Sequence, residues 1–457
     1  MSNQPATQPW QLGASDLVTA VRKGELSPVE IVDSLLQRCA QLDGDIRAWV
    51  TMDGERARER ALSLTKRIAT RPDELGALVG VPVGLKDVIY TAGLLTTASS
   101  RSLADFVPDY DAAATERLRD ADAVILGKLH TAEFACADAP PTRNPWNLQH
   151  TPGGSSSGSG AAVAAGMLPV ALGTQTVGST LRPAMFNGIV GYKPTYGLVS
   201  NHGVIPLAWT FDHVGILARG VEDVEIVLAA LVGHDPRDPA SVVDAAQRFR
   251  TERVARTDAP RIGLVRDFFL STCEPDVLDG LERTAAQFTA AGAQVEEVGL
   301  PPSFSSISKT MQIILKAETA AYHREAFATR GELYGPKIST LIDEGMRLSA
   351  AEYVGAVRER PALVAELEQW LSGFDALLTP TAPAPAPRNL SITGDASFLA
   401  PFSFAGLPAV SIPTGLNTWG LPLGAQLVGA RWRDRALLAT AAWCESAVGF
   451  SAHPPSW

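Results

Sequence analysis

This chain of 457 residues has little that would serve a metal, a membrane or a nucleic acid. There are four cysteines, Cys39, Cys136, Cys273 and Cys444, and none forms a CxxC pair or a Cys/His zinc spacing. Reduced thiols in a cytoplasmic protein are the expectation. Histidine is scarce, at seven residues, and HExxH is absent. His130 and Glu133 stand three apart, but no second ligand pair accompanies them, so no metal is expected. Positive charge is in deficit: 39 Lys and Arg against 49 Asp and Glu give a formal net charge of -10. That argues against a basic stripe for nucleic acid and against adhesion to an anionic membrane. The longest apolar run, around residues 161–173, is interrupted by Pro169 and is too short to span a bilayer. The N-terminus lacks the basic and apolar regions of a signal peptide. No internal repeat and no composition shift marks a boundary.

What is present is a large apolar stock. Hydrophobic residues make up 46% of the chain, ample for a large core. Strand and helix patterns alternate, which points to an α/β fold. Ser27, Pro28 and Glu30 form a capping-box pattern that opens a helix over 29–42. Strands are expected over 46–52, 123–127, 261–265, 294–298, 374–378, 409–413 and 425–428. Helices are expected over 54–68, 111–121, 221–232, 275–291 and 434–448. Residues 235–260 read as a polar, irregular excursion, and 382–388 as an ordered Pro-rich loop. The expected layout is one large domain over 15–450, with a helical excursion at about 303–371. Polar tails flank it at 1–14 and 451–457.

The chemistry concentrates between Thr151 and Pro194. A Gly/Ser cluster, Gly153 to Ser159, runs into an Ala/Val-rich segment, which reads as a helix joining two turns. The second turn is Gly173-Thr174-Gln175-Thr176-Val177-Gly178-Ser179. Glycines let substrate approach main-chain N–H groups, and a hydroxyl beside such donors can act as a nucleophile. A flexible linker would not pass at once into an apolar run. A phosphate loop would need GxxxxGK[ST], which is absent. Gly154-Ser155-Ser156-Ser157-Gly158 fits the nucleophile elbow of α/β-hydrolases, with Ser156 attacking. However, loop residues precede it where that fold has a strand, and the late His453 lies in a Pro-rich tail. A third arrangement uses lysine as base, made neutral by burial. Lys86, at the end of an apolar run, would take a proton from a bridging serine, which takes one from the nucleophile. A lysine that simply snorkels to solvent is the competing reading.

Six segments together carry a resemblance. They are GVPVGLKD (80–87), TPGGSSSGSGAAVAAG (151–166), ALGTQTVGSTLRPA (171–184), GIVGYKPTYGLVS (188–200), FAGLPAVSIPTG (404–415) and GLPLGAQLVG (420–429). In this order and spacing the chain resembles the amidase signature family from about residue 15 to about 450. The resemblance implies a mixed, twisted β-sheet covered by helices on both faces. It also implies a triad of Lys86, Ser155 as the bridging serine on a cis peptide, and Ser179 as the nucleophile. The main-chain N–H groups of Thr176, Val177, Gly178 and Ser179 would form the oxyanion hole. No metal or organic cofactor is required by the resemblance, and a homodimer is the family's habit.

Some residues depart from the family pattern. Gln175 replaces a carboxylate, Val177 replaces a glycine, and the arginine after the nucleophile is displaced to Arg182. Ser157 stands for a glycine, and His130 for a frequent asparagine. These departures favour a stand-alone hydrolase of small amides or carbamates, with aryl amides and urethanes in range. The alternatives are the glutaminase component of an amidotransferase or a hydrolase of urea derivatives. Phe134, Trp209 and Phe402 are the expected pocket walls, with core packing as the other reading for Phe134 and Trp209.

Overall fold

Alternating apolar side chains along the strands bury both faces of the central sheet. The computed structural model describes residues 8–252 and 259–455. The chain starts with α1 (Ala14–Arg22), α2 (Pro28–Ile46), β1 (Trp49–Met52), α3 (Gly54–Thr70), β2 (Pro82–Lys86), α4 (Ala113–Asp120) and β3 (Val124–Leu129). It continues through α5 (Ser157–Ala164), β4 (Val170–Gln175), α6 (Leu181–Asn187), β5 (Val190–Lys193), β6 (His213–Ala218), α7 (Val221–Leu231) and α8 (Ala245–Thr251). Then come β7 (Arg261–Val265), α9 (Pro275–Ala290), β8 (Gln294–Val298), α10 (Phe304–Arg330), α11 (Pro336–Met346) and α12 (Ala350–Leu371). The last elements are β9 (Ala376–Pro380), α13 (Ala400–Ala405), β10 (Ala409–Leu416), β11 (Pro422–Val428) and α14 (Asp434–Val448).

The strands form one mixed sheet in the order β1-β3-β2-β4-β6-β5-β10-β11-β9-β7-β8. β3, β2 and β4 run parallel, as do β9, β7 and β8; the other pairs are antiparallel. Successive side chains of a strand point to opposite faces. In β4, Val170 and Leu172 join a cluster with Val224 and Leu228 of α7 and Leu437 of α14. Ala171 joins another, with Ile31 and Leu35 of α2, Ala57 of α3 and Ala161 of α5. Helices therefore cover both faces. A third cluster, rich in phenylalanine, joins α10, α12 and α13.

Local chemistry explains where the expectations hold and where they shift. In α2, Ser27 Oγ accepts from the Glu30 N–H at 3.2 Å, and the Glu30 carboxylate accepts from the Ser27 N–H at 2.8 Å. The helix runs on to Ile46, which packs on its buried face, and ends at Arg47 with φ 57°. The strand expected from 46 therefore starts at Trp49.

The Ala/Val-rich segment is not one helix. It breaks at Gly166 (φ 74°) and Pro169 and continues as β4, a strand buried on both faces. The irregular stretch 235–260 contains α8, and its residues 253–258 lie outside the described residues. The helical excursion resolves into α10, α11 and α12. In the expected N-terminal tail, Trp10 lies under the Arg38 guanidinium, 4.2 Å from the ring centre. Residues 1–7 and 456–457 of the two tails lie outside the described residues. The Pro-rich loop is tied down: its Pro383 and Pro387 carbonyls accept from the N–H groups of Glu274 and Thr151. Among the described residues no helix is long and apolar enough to cross a membrane.

Candidate active site

Parallel pairing sets Leu85 of β2 opposite Leu172 of β4. Lys86 thus ends β2 beside Thr174. The carboxyl ends of parallel strands are where open α/β sheets place their sites. Lys86 is fully buried. Its Nζ lies 2.7 Å from Ser155 Oγ, 2.7 Å from Thr174 Oγ1 and 3.4 Å from the Thr174 carbonyl oxygen. Burial pulls its pKa well below 10.5, Asp212 opposes this, and Arg182 adds to it. As an ammonium Nζ donates to all three oxygens; as a neutral amine it would give two N–H bonds to Thr174 and turn its lone pair to Ser155.

Ser155 follows a cis Gly154–Ser155 peptide bond. Its carbonyl accepts from the Ala132 N–H at 2.9 Å. The Gly154 carbonyl accepts from Arg182 Nε at 3.1 Å and Nη2 at 2.6 Å. Arg182 also reaches Thr393 Oγ1 and the Gly394 carbonyl, so one buried guanidinium clamps the serine turn to the 393–394 loop. Ser179 stands between β4 and α6 and is 7% exposed. Its carbonyl accepts from the Ser156 N–H at 3.1 Å, which joins the two serine-bearing turns. Among the described residues its hydroxyl has no hydrogen-bond partner.

The turn before Ser179 is braced from three sides. Gln175 Oε1 accepts from the N–H groups of Thr180 and Leu181 at 2.9 and 3.0 Å, capping α6. Its Nε2 donates to Ser403 Oγ at 3.0 Å, and Ser403 donates to the Val177 carbonyl at 2.7 Å. An amide therefore does the acceptor work of the carboxylate it replaces and adds a donor. Thr176 Oγ1 donates to Asp212 Oδ1 at 2.5 Å. Val177 packs, partly buried, in the cluster of Phe398 and Leu399, and its φ is not left-handed. Glycine is needed at the next position instead: a Cβ on Gly178 would meet Leu399 Cδ1 at 2.6 Å.

A family model described as Amidase matches residues 30–438. The chain belongs to the amidase family. The glutamyl-tRNA(Gln) amidotransferase A-type component of Moorella thermoacetica is 36% identical over 98% of both chains. A peptide amidase from Stenotrophomonas maltophilia has 31% identity and a TM-score of 0.83, covering 97% of this chain and 98% of its own. A 6-aminohexanoate cyclic dimer hydrolase has 27% identity and a TM-score of 0.86, covering 98% of this chain and 99% of its own. This amidase is thus an amidohydrolase acting on carbon–nitrogen bonds.

The amidase brings Lys86 and Ser155 into contact and binds the Ser155 turn to Ser179 through the backbone. Ser156 and Ser157 have structural partners: Ser156 Oγ bonds the Thr174 backbone at 3.2 Å, and Ser157 donates to the Gly153 carbonyl at 2.6 Å. The three expected wall residues separate. Trp209 is 45% exposed and borders a cleft of about 270 Å³ with Tyr196, Asn201, His202 and Asp212. Phe134 is buried, stacked on Tyr334 at 5.1 Å and edge-on to His323 at 4.5 Å. Phe402 is buried parallel to Phe269 at 6.3 Å. Both phenylalanines pack in the core.

Sequence reading missed three supporting residues. Thr174 becomes visible once 170–175 is read as a strand, since alternation turns it away from Gln175. Asp212 and Ser403 carry no sequence signal, because only tertiary contact brings them to the turn.

Proposed function

We propose that this chain hydrolyses small uncharged amides through a Ser179 acyl-enzyme, with Ser155 and Lys86 as the proton relay. One observation carries the reading: a fully buried lysine, driven toward its neutral form, lies 2.7 Å from Ser155 on a turn bonded to Ser179. Ser179 Oγ attacks the carbonyl while its proton passes through Ser155 to Lys86. The N–H groups of Thr176, Val177, Gly178 and Ser179 receive the oxyanion, a contribution of about 3 to 4 kcal/mol per donor. The C–N bond breaks as the amine takes the proton back from Lys86 through Ser155. Water then cleaves the acyl-enzyme by the same route. Val177, partly buried and apolar beside the turn, suits an uncharged acyl part, and a carbamate presents the same carbonyl.

A second reading, the glutaminase part of an amidotransferase, is favoured by the name that the curated relatives carry along nearly the whole chain. Its substrate would be glutamine, a zwitterion whose α-ammonium and α-carboxylate need polar partners that a plain amide does not.

A panel of anilides, aliphatic amides, carbamates and glutamine decides between them. The expected result is turnover of neutral amides, lost in Ser179→Ala. The rate limb of the wild type should rise with pH as Lys86 deprotonates and be lost in Lys86→Ala. Turnover confined to glutamine sinks the first reading in favour of the second.

A further inference from the structure

Asp212 has a position that the serine–serine–lysine relay leaves unexplained. It directly precedes β6 and is 6% exposed. Among the described residues no cation is ion-paired with it. A bare buried carboxylate is costly, and hydrogen bonds must offset that cost. Oδ1 accepts the Thr176 hydroxyl at 2.5 Å. Oδ2 accepts the N–H groups of Leu207 and Ala208 at 2.9 and 3.1 Å. Its main-chain carbonyl takes Asn201 Nδ2 at 2.8 Å. One side chain therefore ties the oxyanion turn to the 201–208 loop, which borders the Trp209 cleft.

The same carboxylate acts on Lys86, where its charge favours the ammonium. The titratable groups coupled to it by charge are Lys86 at the end of β2, Glu318 on α10 and Tyr196 in the loop after β5, while His213 is its neighbour in the chain. Arg182 acts on Lys86 in the opposite sense. Burial pushes the Asp212 carboxyl up to about 7, so its charge is present on the alkaline side of neutrality. The lysine has two opposing tasks. It must be neutral to accept the Ser179 proton and charged to give one to the leaving amine. Thr176, which gives its hydroxyl to Asp212, lies two residues after Thr174, whose hydroxyl and carbonyl take Lys86 Nζ, so the carboxylate is bonded to the same strand end that holds the lysine.

We propose that Asp212 is a positioning residue whose carboxylate, bonded to Thr176, holds the strand end that carries both the oxyanion N–H groups and Thr174, the hydrogen-bond partner of Lys86. The inference rests on the hydrolase reading above. It reaches catalysis only through Thr176 and Lys86, so its test needs more than a loss of rate.

A fluorophosphonate probe serves, with Ser179 labelling followed by intact mass against pH. In that reaction Ser179 Oγ bonds phosphorus, the P–F bond breaks, fluoride leaves, and the serine proton passes through Ser155 to Lys86. Asp212→Asn keeps an acceptor for Thr176 but removes the charge and turns an NH2 toward the N–H groups of Leu207 and Ala208, so the position of the rate limb, more than the plateau, reads the charge. It should move the rising limb of the rate to lower pH by about one unit and lower the plateau about tenfold. Thr176→Val should lower the plateau comparably and leave the limb in place. Asp212→Asn labelled at the wild-type rate with an unshifted limb overturns the inference. So does Thr176→Val at the wild-type plateau, which removes the link to the turn without the buried acid. A wild-type Ser179 that the probe does not label overturns the hydrolase reading and takes the inference with it.

Discussion

His323 on α10 is 1% exposed, with Nδ1 3.3 Å from the Tyr334 hydroxyl and Phe134 edge-on to its ring. Among the described residues its buried Nε2 has no hydrogen-bond partner. Burial holds its pKa down to about 4, against 6.5 in an open chain. The unfolded chain then binds a proton that the folded chain refuses. The stability tied to this neutral ring is present above about pH 6.5 and is lost as pH falls through about 4. His323→Leu removes that dependence. The difference in unfolding free energy between wild type and variant should shift toward the variant by about 3 kcal/mol from pH 7 to pH 4. Denaturant titrations at several pH values check it, and a constant difference sinks it. None of this was visible in the sequence, where a lone histidine in a helix says nothing of its surroundings. The same holds at Val177. It read as an intrusion on the oxyanion turn, but the crowded position proved to be Gly178, which the backbone path presses against Leu399.

Elements whose signals are local were legible, and elements that depend on neighbours were not. The strands at 261–265 and 294–298 and the helix at 434–448 stand where periodicity places them. The capping box at Ser27 has the same local origin, since donor and acceptor lie three residues apart. Ser27→Ala should lower stability by about 1 kcal/mol, measured by denaturant unfolding, with hydrolytic activity at saturating substrate unchanged. A variant as stable as the wild type would show that Pro28 and packing alone hold the start of α2. By contrast, β4 was hidden inside an Ala/Val-rich run. A strand buried on both faces has no polar alternation to separate it from a buried helix. α13 was missed as well, because six residues are too few for helical periodicity to declare itself.

Across the whole molecule, charges buried between layers bind distant segments. Lys128 of β3 and Asp87 after β2 are both fully buried, 3.8 Å apart. Lys128 also bonds the Ile89 carbonyl and Thr96 Oγ1, while Asp87 Oδ2 accepts from the Thr97 N–H and hydroxyl. Burial lowers Lys128 to about 8 and raises Asp87. Removing one partner strands the other charge. Lys128→Met should cost roughly 3 to 5 kcal/mol, and adding Asp87→Asn should restore most of it. Denaturant midpoints of the single and double variants check this. A double variant no more stable than Lys128→Met would mean that the loop contacts, not the charges, matter. Asp87 is the residue after Lys86 and Lys128 stands opposite Leu85, so the strand end that carries the proposed base is itself anchored by charge.

The sequence by itself determined the residue types proposed for the reaction, their order along the chain and the α/β alternation, because these are properties of neighbouring residues. The resemblance implied a partnership of Lys86 with two serines, and of these the structure sets Ser155 against the lysine. Only the tertiary structure decided the strand order that brings Lys86 of β2 to Thr174 of β4. It also decided the fate of Phe134 and Phe402 as core residues, and the meeting of Asp212 and Ser403 with the Ser179 turn. Those outcomes depend on which segments exclude water from one another across long stretches of chain, and no local pattern encodes that choice.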